Sequence, residues 1–355
     1  MLNLVTLHEL VLGIIVVLIF VLILIISVLI FSFFRYRSLQ HRQSWATIIR
    51  QIITDAIVEG TEPLPQDTSF SLYLKIPSFR RYFLSTLVSA ERKFTGKARE
   101  EVGRLFKVFN LEEEAWEKMR SKRDYLIAGG IQELTAMRVE RALPQISDFL
   151  KHPQRQVYQE AQYAIVRFKG FEGLFFLDEL QHPLSDWQQL RLLRSIEEVP
   201  DTHFERINVW LGSDNESVVV FTLRLIGQFQ LLSYYPEVLT LLDHDVVMVR
   251  KHAVRTLQNL ENKDTINQLL AGFANQCNQV QLEILKALKA SKSKQTELFL
   301  QEQLWRHPDI GIKISAAEVL MALGGQSYLQ GIVSSPETSS QLTQIVNHAL
   351  QEKKC

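Results

Sequence analysis

Cysteine is nearly absent from this sequence, and charge of either sign is not in excess. Cys277 and Cys355 are the only two cysteines among 355 residues, so the chain has neither a disulfide framework nor a C-x-x-C metal pair. This fits a reducing compartment. Lys plus Arg equals Asp plus Glu at 39 each, which argues against a nucleic-acid-binding protein that relies on bulk positive charge. Apolar residues make up 46% of the chain, enough for a sizeable core and too many for a disordered protein.

Motifs of catalysis are missing as well. The sequence contains no GxGxxG, GxxxxGK[ST], GxSxG or HExxH, so it offers no signature of a nucleotide site, a nucleophilic serine or a zinc peptidase. Histidines do recur at short turns: His152, His182, His244 and His307. Packed helices lie about 8–10 Å apart, whereas zinc ligands lie about 2 Å from a shared ion. We therefore expect structural histidines, no metal, no cofactor and no enzymatic activity.

The amino-terminal region has no charge over its longest apolar run. Leu10 to Phe34 is 25 residues long and contains no charged side chain, and about 20 such residues cross a bilayer as a helix. A cleaved signal peptide would need a basic start, a shorter apolar run and a small-residue cleavage site, and these are lacking. Arg35, Arg37 and Arg42 follow the run, and no Lys or Arg precedes it. The sequence thus predicts a single-pass anchor in a lipid bilayer, expected to be a bacterial inner membrane, with the amino terminus outside and the remainder cytoplasmic.

What the rest of the chain does have is a repeat. In LLDHDVVMVRKHAVRTLQNL, Val249, Ala253, Leu257 and Leu260 are spaced as one apolar stripe of a helix. Helices with the same stripe start at residues 126, 157, 188, 218, 280, 312 and 342. A shorter apolar segment precedes each one, and a turn rich in Pro, Asp or Asn separates the two. A hairpin this small cannot bury its apolar face alone, so successive copies must stack. The fold class predicted is all-α, with a stacked α-α superhelix.

The turn followed by VRKHAVRTL, at a period near 31 residues, resembles HEAT repeats. In particular it is similar to the short bacterial repeats of phycobilisome-lyase-type proteins. The resemblance covers about residues 126–352, and the repeats that start at 126 and 188 depart from it because they lack the Val-Arg pair. It implies a helical solenoid and leaves function open, since such folds serve many roles. Relatives of the lyase type handle tetrapyrrole chromophores, so a chromophore- or small-ligand-handling protein is the alternative function.

Three regions follow along the chain. Residues 1–34 form the tail and the transmembrane anchor, and residues 35–121 form juxtamembrane and capping helices. In the latter region SWATIIRQIITDAIVEG predicts a helix from about Ser44 to Glu59. Residues 122–355 form the repeat solenoid.

Two columns of side chains in the repeats predict a binding surface. Counting from the first stripe residue, the sixth position afterwards is basic in four consecutive helices: Arg194, Arg224, Arg255 and Lys286. This position is rotated about 205° from the stripe, so it faces away from the core. The second position afterwards is mostly apolar, with one interruption at Lys251: Leu190, Val220, Leu282 and Ile314. We expect the two columns to line a concave surface that receives an amphipathic, acidic segment. In the alternative interpretation, the apolar column packs between neighbouring helices and the bases are a solvated face.

The function that follows is a non-catalytic scaffold. The membrane-anchored repeats would bind a protein partner at the cytoplasmic face, where the tether raises the effective concentration of a membrane-bound partner. The partner could be a membrane-associated enzyme, such as a polysaccharide-synthesising glycosyltransferase, or a signalling protein. No residue distinguishes these two.

Overall fold

The computed structural model describes residues 7–60, 68–200 and 204–351. These residues form α-helices and short 3-10 helices and include no strand, which confirms the predicted all-α class. The chain divides into two compact units, unit 1 (Met1–Ala164) and unit 2 (Ile165–Cys355). The three-region division predicted above, with its boundary at residues 121–122, stays a prediction.

Unit 1 begins with a helix much longer than expected. α1 runs from Leu7 to Glu59 without a break, so the apolar run and the predicted helix at 44–59 are one element. The continuity has a plain cause, because the sequence contains no Pro or Gly between Gly13 and Gly60. Leu12–Ser32 is 21 residues long, apolar enough to cross a membrane and entirely unburied. Near its other end α1 contributes buried side chains to unit 1: Ile49, Ile52, Ile53 and Ala56.

The remainder of unit 1 is a set of short helices around an aromatic core. They are α2 (Thr68–Tyr73), α3 (Pro77–Glu91), α4 (Gly96–Val108), α5 (Glu112–Met119), α6 (Asp124–Ala136), α7 (Leu143–Asp148) and α8 (Arg155–Lys169), and the boundary with unit 2 falls within α8. Phe70, Phe79, Phe83 and Phe109 contact one another with ring centroids 5.3–6.2 Å apart. α5 and α6 pack closely because Gly130 has no side chain, since a Cβ there would lie 2.5 Å from the amide nitrogen of Met119.

Unit 2 is built from helical hairpins. Its helices are α9 (Asp186–Leu193), α10 (Phe204–Leu211), α11 (Glu216–Phe229), α12 (Tyr235–Thr240), α13 (Val247–Asn259), α14 (Thr265–Gly272), α15 (Asn278–Ser291), α16 (Glu297–Arg306), α17 (Ile310–Ala322), α18 (Gln326–Ser334) and α19 (Ser340–Gln351). The second helices of the hairpins, α11, α13, α15, α17 and α19, pack each against the next. This is the serial stacking that the period near 31 residues predicts.

The apolar stripe forms the core of these hairpins. Val249, Ala253, Leu257 and Leu260 are all buried, and the corresponding stripe residues of α11, α15 and α17 are buried or nearly so. A polar stripe residue is satisfied locally, since the hydroxyl of Thr222 donates to the carbonyl of Val218 at 2.8 Å. The helical spacing of the stripe is therefore confirmed as a burial pattern.

One repeat of unit 2 departs from the regular hairpin. In place of a first α-helix, this repeat has a ten-residue 3-10 helix, Gly170–Glu179. A Cβ at Gly173 would lie 2.6 Å from the carbonyl oxygen of Ile165, so the chain passes too close for an ordinary side chain. The second helix of this repeat, α9, has only eight residues, whereas α11 and α15 have fourteen each. Ser185 caps α9 by accepting from the amide of Gln188.

Candidate partner-binding surface

The recurrent turn histidines stabilise the turns in which they lie. In three of them the Nδ1 atom accepts from the backbone amide two residues later. The acceptor–donor pairs are His152 with Gln154 at 3.2 Å, His244 with Val246 at 3.1 Å and His307 with Asp309 at 3.1 Å. An imidazole used in this way replaces a backbone partner at the start of the second helix. Within the described ranges no group of three or more His, Cys, Asp or Glu side chains could hold a metal ion.

The basic column predicted from the sequence is linked across neighbouring helices by acidic side chains. A terminal guanidinium nitrogen of Arg224 on α11 lies 2.6 Å from a carboxylate oxygen of Asp186 on α9. Arg255 on α13 makes two hydrogen bonds, at 2.6 and 3.1 Å, to the carboxylate of Glu283 on α15. The ammonium group of Lys286 lies 3.6 Å from the same carboxylate. Arg224 and Arg255 therefore join consecutive second helices, whereas Lys286 pairs within α15, and none of the three is a free cation.

Glu283 is the acidic centre of this network. Its carboxylate is buried, and burial by itself would raise its pKa. The hydrogen bonds and the charge of Arg255 outweigh that effect, so the pKa of Glu283 lies below its usual value. The same hydrogen bonds raise the pKa of Arg255. The carboxylate is thus ionised at neutral pH, and the pair couples α13 to α15.

A buried histidine lies between the two arginines. His252 on α13 is only 4% exposed, and its Nε2 atom is 3.4 Å from a terminal nitrogen of Arg224. Burial, followed by the nearby charges of Arg224 and Arg255, lowers the pKa of His252 to about 4. The ring is therefore neutral at pH 7, which avoids a third positive charge between two arginines.

The apolar column is not continuous. Val220 on α11 is 5% exposed, and Leu282 on α15 is half-buried. Neither side chain is exposed. Val220 is thus inaccessible to a partner, whereas Leu190 on α9 is 41% exposed. The position that is buried in α11 is exposed on α9.

Trp187 is a functional candidate that sequence reasoning missed. It is 70% exposed and lies three residues before Leu190, so the two side chains share one face of α9. Arg194 follows at the carboxyl end of the helix and is exposed, with no ion-pair partner among the described residues. Trp187, Leu190, Arg194 and Arg224 are called the α9 patch below. The sequence offered one signal, a large aromatic in DWQQL at a position outside the buried stripe.

The α9 patch has the composition of a binding hot spot. Exposed Trp and Arg side chains are enriched at the centres of protein interfaces, whereas isolated exposed aliphatics are not. Trp187 and Leu190 offer apolar area, and Arg194 and Arg224 offer positive charge at its border. Asp186, itself exposed, reduces the charge of Arg224, which leaves Arg194 as the principal free cation of the patch.

An open cleft in unit 1 is a weaker candidate for a small ligand. Its volume is about 280 Å³, and Glu113, Trp116, Arg120, Arg141 and Gln145 line it. Each arginine is paired, since Arg120 lies 3.4 Å from Glu113 and Arg141 lies 2.6 Å from Glu112. These pairs reduce the charge available to an anionic ligand, and the cleft is not the deep, mostly apolar pocket that a chromophore needs.

The predicted membrane flank occupies α1 directly after the apolar span. Arg35, Arg37 and Arg42 belong to the helix, and their side chains lie outside the described part of the chain. Their contact with headgroups stays a prediction.

Comparison with known proteins supports no family assignment. No family model matches the chain, and no curated protein matches it. Solved structures that resemble it include an engineered protein, at 14% identity and a TM-score of 0.35 over 86% of this chain and 99% of that one. Human deoxyhypusine hydroxylase in complex with glycerol is similar at 13% identity and a TM-score of 0.29, over 81% of this chain and 98% of that one. The complex of CpcE and CpcF of phycocyanin lyase from Nostoc sp. PCC7120 is similar at 14% identity and a TM-score of 0.25, over 82% of this chain and 97% of that one. At these values the likenesses carry no argument about function, and membership of the HEAT repeats stays a prediction.

Proposed function

We propose that this helical-repeat protein is a membrane-anchored, non-catalytic scaffold that binds a protein partner through the α9 patch. The observation that carries the proposal is the exposure of Trp187 and Leu190 on one face of α9, since the position of Leu190 is buried in the longer helix α11 as Val220. Burying these two side chains in an interface would stabilise a complex by several kcal/mol before the costs of association, at about 25 cal/mol per Å² of apolar area.

Charge and shape favour one kind of partner. The patch is apolar along one face of a short helix and positive at its carboxyl end, where Arg194 lies. An amphipathic helix with apolar side chains at i and i+3 or i+4 and acidic side chains beside them complements this arrangement. We infer that the partner presents such a segment and is itself membrane-associated, as a membrane enzyme or a signalling protein would be.

The anchor is the second part of the proposal. Leu12–Ser32 has the length and apolarity of a membrane-spanning helix and buries nothing in the protein, and α1 continues from it into the core of unit 1. A retained span would hold the repeats at one membrane, where weak contacts suffice because the partner shares the same surface. Arginines after the span and none before it support a cytoplasmic location for the repeats.

Binding is tested by recovery of the partner from detergent-solubilised membranes with the full chain as bait. Trp187→Ser combined with Leu190→Ser is expected to reduce recovery of a discrete protein at least about tenfold, as the loss of a hot spot of about 1.4 kcal/mol or more implies. Arg194→Glu is expected to reduce it as well. Leu298→Ser is the matched control, because Leu298 is 80% exposed on α16 and lies outside the patch. Equal recovery with all variants, or equal loss with the control, would refute the α9 patch, and a copurifying coloured ligand would instead favour the chromophore-handling alternative.

Anchoring and orientation are tested separately. A reporter fused after Cys355 is expected to be active only on the cytoplasmic side, and the chain is expected to resist alkaline extraction from membranes. Deletion of residues 10–34 should release it. Activity of the reporter on the outer side would overturn the orientation, and extraction of the full chain would overturn the anchor.

A further inference from the structure

The long helix fixes where unit 1 lies with respect to the apolar span. Between Phe34 and Trp45, α1 advances 11 residues, which is about 16 Å at 1.5 Å per residue. At Trp45 the rest of unit 1 is already in contact with the helix, because the rings of Trp45 and Phe79 meet edge-on with centroids 5.5 Å apart. The ring of Tyr73 stacks on the ring of Phe79, with centroids 5.6 Å apart. The end of α2 and the first turn of α3 are thus held beside α1 at its span-proximal part.

This part of unit 1 exposes apolar side chains beside bases. Leu72, at the end of α2, is 62% exposed, and Ile76, just before α3, is exposed as well. Lys75 lies between them in sequence, and Arg81 follows on α3; both are exposed. Leu72, Lys75, Ile76 and Arg81 are called the α2–α3 corner. Exposed aliphatic side chains close in sequence to bases are typical of segments that rest in a membrane interface.

Acidic residues are absent from the segments that form this region. Residues 33–54 and 68–90 contain seven Lys and Arg and no Asp or Glu. At the average of the whole chain, which is 39 acidic residues in 355, about five would be expected in these 45 positions. Arg80 is neutralised by hydrogen bonds to Glu114 of α5, so it adds no free charge. Arg50, Lys75 and Arg81 are exposed, so these segments present positive charge to the solvent.

We propose that the α2–α3 corner rests on an anionic bilayer surface, with Leu72 and Ile76 in the interface and Lys75 and Arg81 at the headgroups. The inference depends on the proposed anchoring, with the charge-free run that ends at Phe34 inside the bilayer. Of the roughly 16 Å between Phe34 and Trp45, the headgroup zone accounts for about 5–8 Å. In this proposal the α2–α3 corner lies on the span side of Trp45, where a helix about 10–12 Å across fills the remaining distance. Unit 1 then has two attachments to the membrane, and its orientation towards the bilayer is fixed.

The test places single fluorescent labels on the full chain in lipid nanodiscs. Cys277→Ser and Cys355→Ser provide a background without reactive thiols, and Phe20→Cys, Ile76→Cys and Ser89→Cys each provide one attachment point. Ser89 is the matched control, because it is exposed on the same helix as the corner but about 20 Å further along the chain from Ile76. Nitroxide-bearing lipids quench labels that approach the bilayer. The discs contain phosphatidylcholine with or without phosphatidylglycerol.

The proposal predicts strong quenching at position 20, quenching at position 76 several-fold above that at position 89, and an increase at position 76 when phosphatidylglycerol is present. Lys75→Glu with Arg81→Glu should abolish that increase. Quenching at position 20 with equal quenching at positions 76 and 89 would overturn the corner contact and leave the anchor intact. No quenching at position 20 would overturn both the anchor and this inference.

Discussion

Charge is arranged in opposite ways in two regions of this molecule. In unit 1, residues 33–54 and 68–90 carry bases and no acidic residue. In unit 2, the bases Arg224 and Arg255 each lie against a carboxylate of a neighbouring second helix. The same residue types thus serve two purposes. Where acids alternate with bases the charges hold helices together, and where acids are missing they create a field that an anionic surface can meet.

A second contrast lies inside unit 2. The position two residues after the first stripe residue is buried in α11 as Val220 and exposed in α9 as Leu190. α9 follows a 3-10 helix and ends after eight residues. The exposed apolar position of the α9 patch thus lies in the repeat that departs from the regular hairpin.

Among the charged groups, the largest expected effect comes from breaking the buried pair of unit 2. Arg255→Met leaves the buried carboxylate of Glu283 with Lys286 alone, and we expect the free energy of unfolding to fall by about 2–3 kcal/mol. The measurement is urea unfolding of the full chain in detergent. Arg306→Met is the control, since Arg306 and Glu302 form an exposed pair at 3.3 Å that contributes less than about 0.5 kcal/mol. Equal effects of the two variants would remove the distinction between network and surface charge.

Acid should weaken unit 2 through His252. Its pKa is about 4 in the folded chain against an ordinary value of 6.5, so the unfolded chain takes up the proton first as the pH falls. Stability from this group is complete above pH 6.5 and declines towards pH 4, with a loss of about 2 kcal/mol by about pH 5. Urea unfolding above pH 6.5 and at about pH 5 measures this loss of stability, and His252→Gln should reduce it. An unchanged pH dependence in His252→Gln would show that other groups cause the decline.

Neutralising the bases of unit 1 should affect membrane contact and leave folding unchanged. Lys75→Gln and Arg81→Gln are each expected to weaken association of the α2–α3 corner with phosphatidylglycerol by about 1 kcal/mol. The measurement is the change in lipid quenching of a label at position 76 when salt is added, compared between each variant and the unsubstituted chain. Lys97→Gln is a suitable control, because Lys97 is exposed on α4 and lies outside the acid-free segments. A loss of quenching as large with Lys97→Gln would indicate a nonspecific charge effect.

The smallest expected effect is on stability at the α9 patch. Trp187→Ala removes a side chain that is 70% exposed, so the free energy of unfolding should change by less than about 0.5 kcal/mol. Trp210→Ala is the opposite control, because Trp210 is fully buried and its truncation should cost about 3–5 kcal/mol. A large loss with Trp187→Ala would mean that the residue supports the fold and is not kept for a partner.

The helices of unit 2 could be predicted because burial imposes a spacing of three and four residues on the apolar positions, and the stripe of Val249 shows it. The outer surface could not be predicted in the same way. Asp186 and Arg224 are 38 residues apart in sequence, and Arg255 and Glu283 are 28 apart, so a column of bases gives no sign of its acidic partners. The close approach of the chain at Gly173 to Ile165 is likewise a contact in space, which the sequence pattern does not show.

The central claim, that the α9 patch is the site at which a protein partner binds, is tested most directly by a photo-crosslinking amino acid at position 187 in the anchored chain in native membranes. The account predicts a crosslink to one discrete protein through an acidic, amphipathic helical peptide, and no such product with the same amino acid at position 298. It also predicts that Arg194→Glu weakens the product. The same products at positions 187 and 298, or none at position 187, would contradict it.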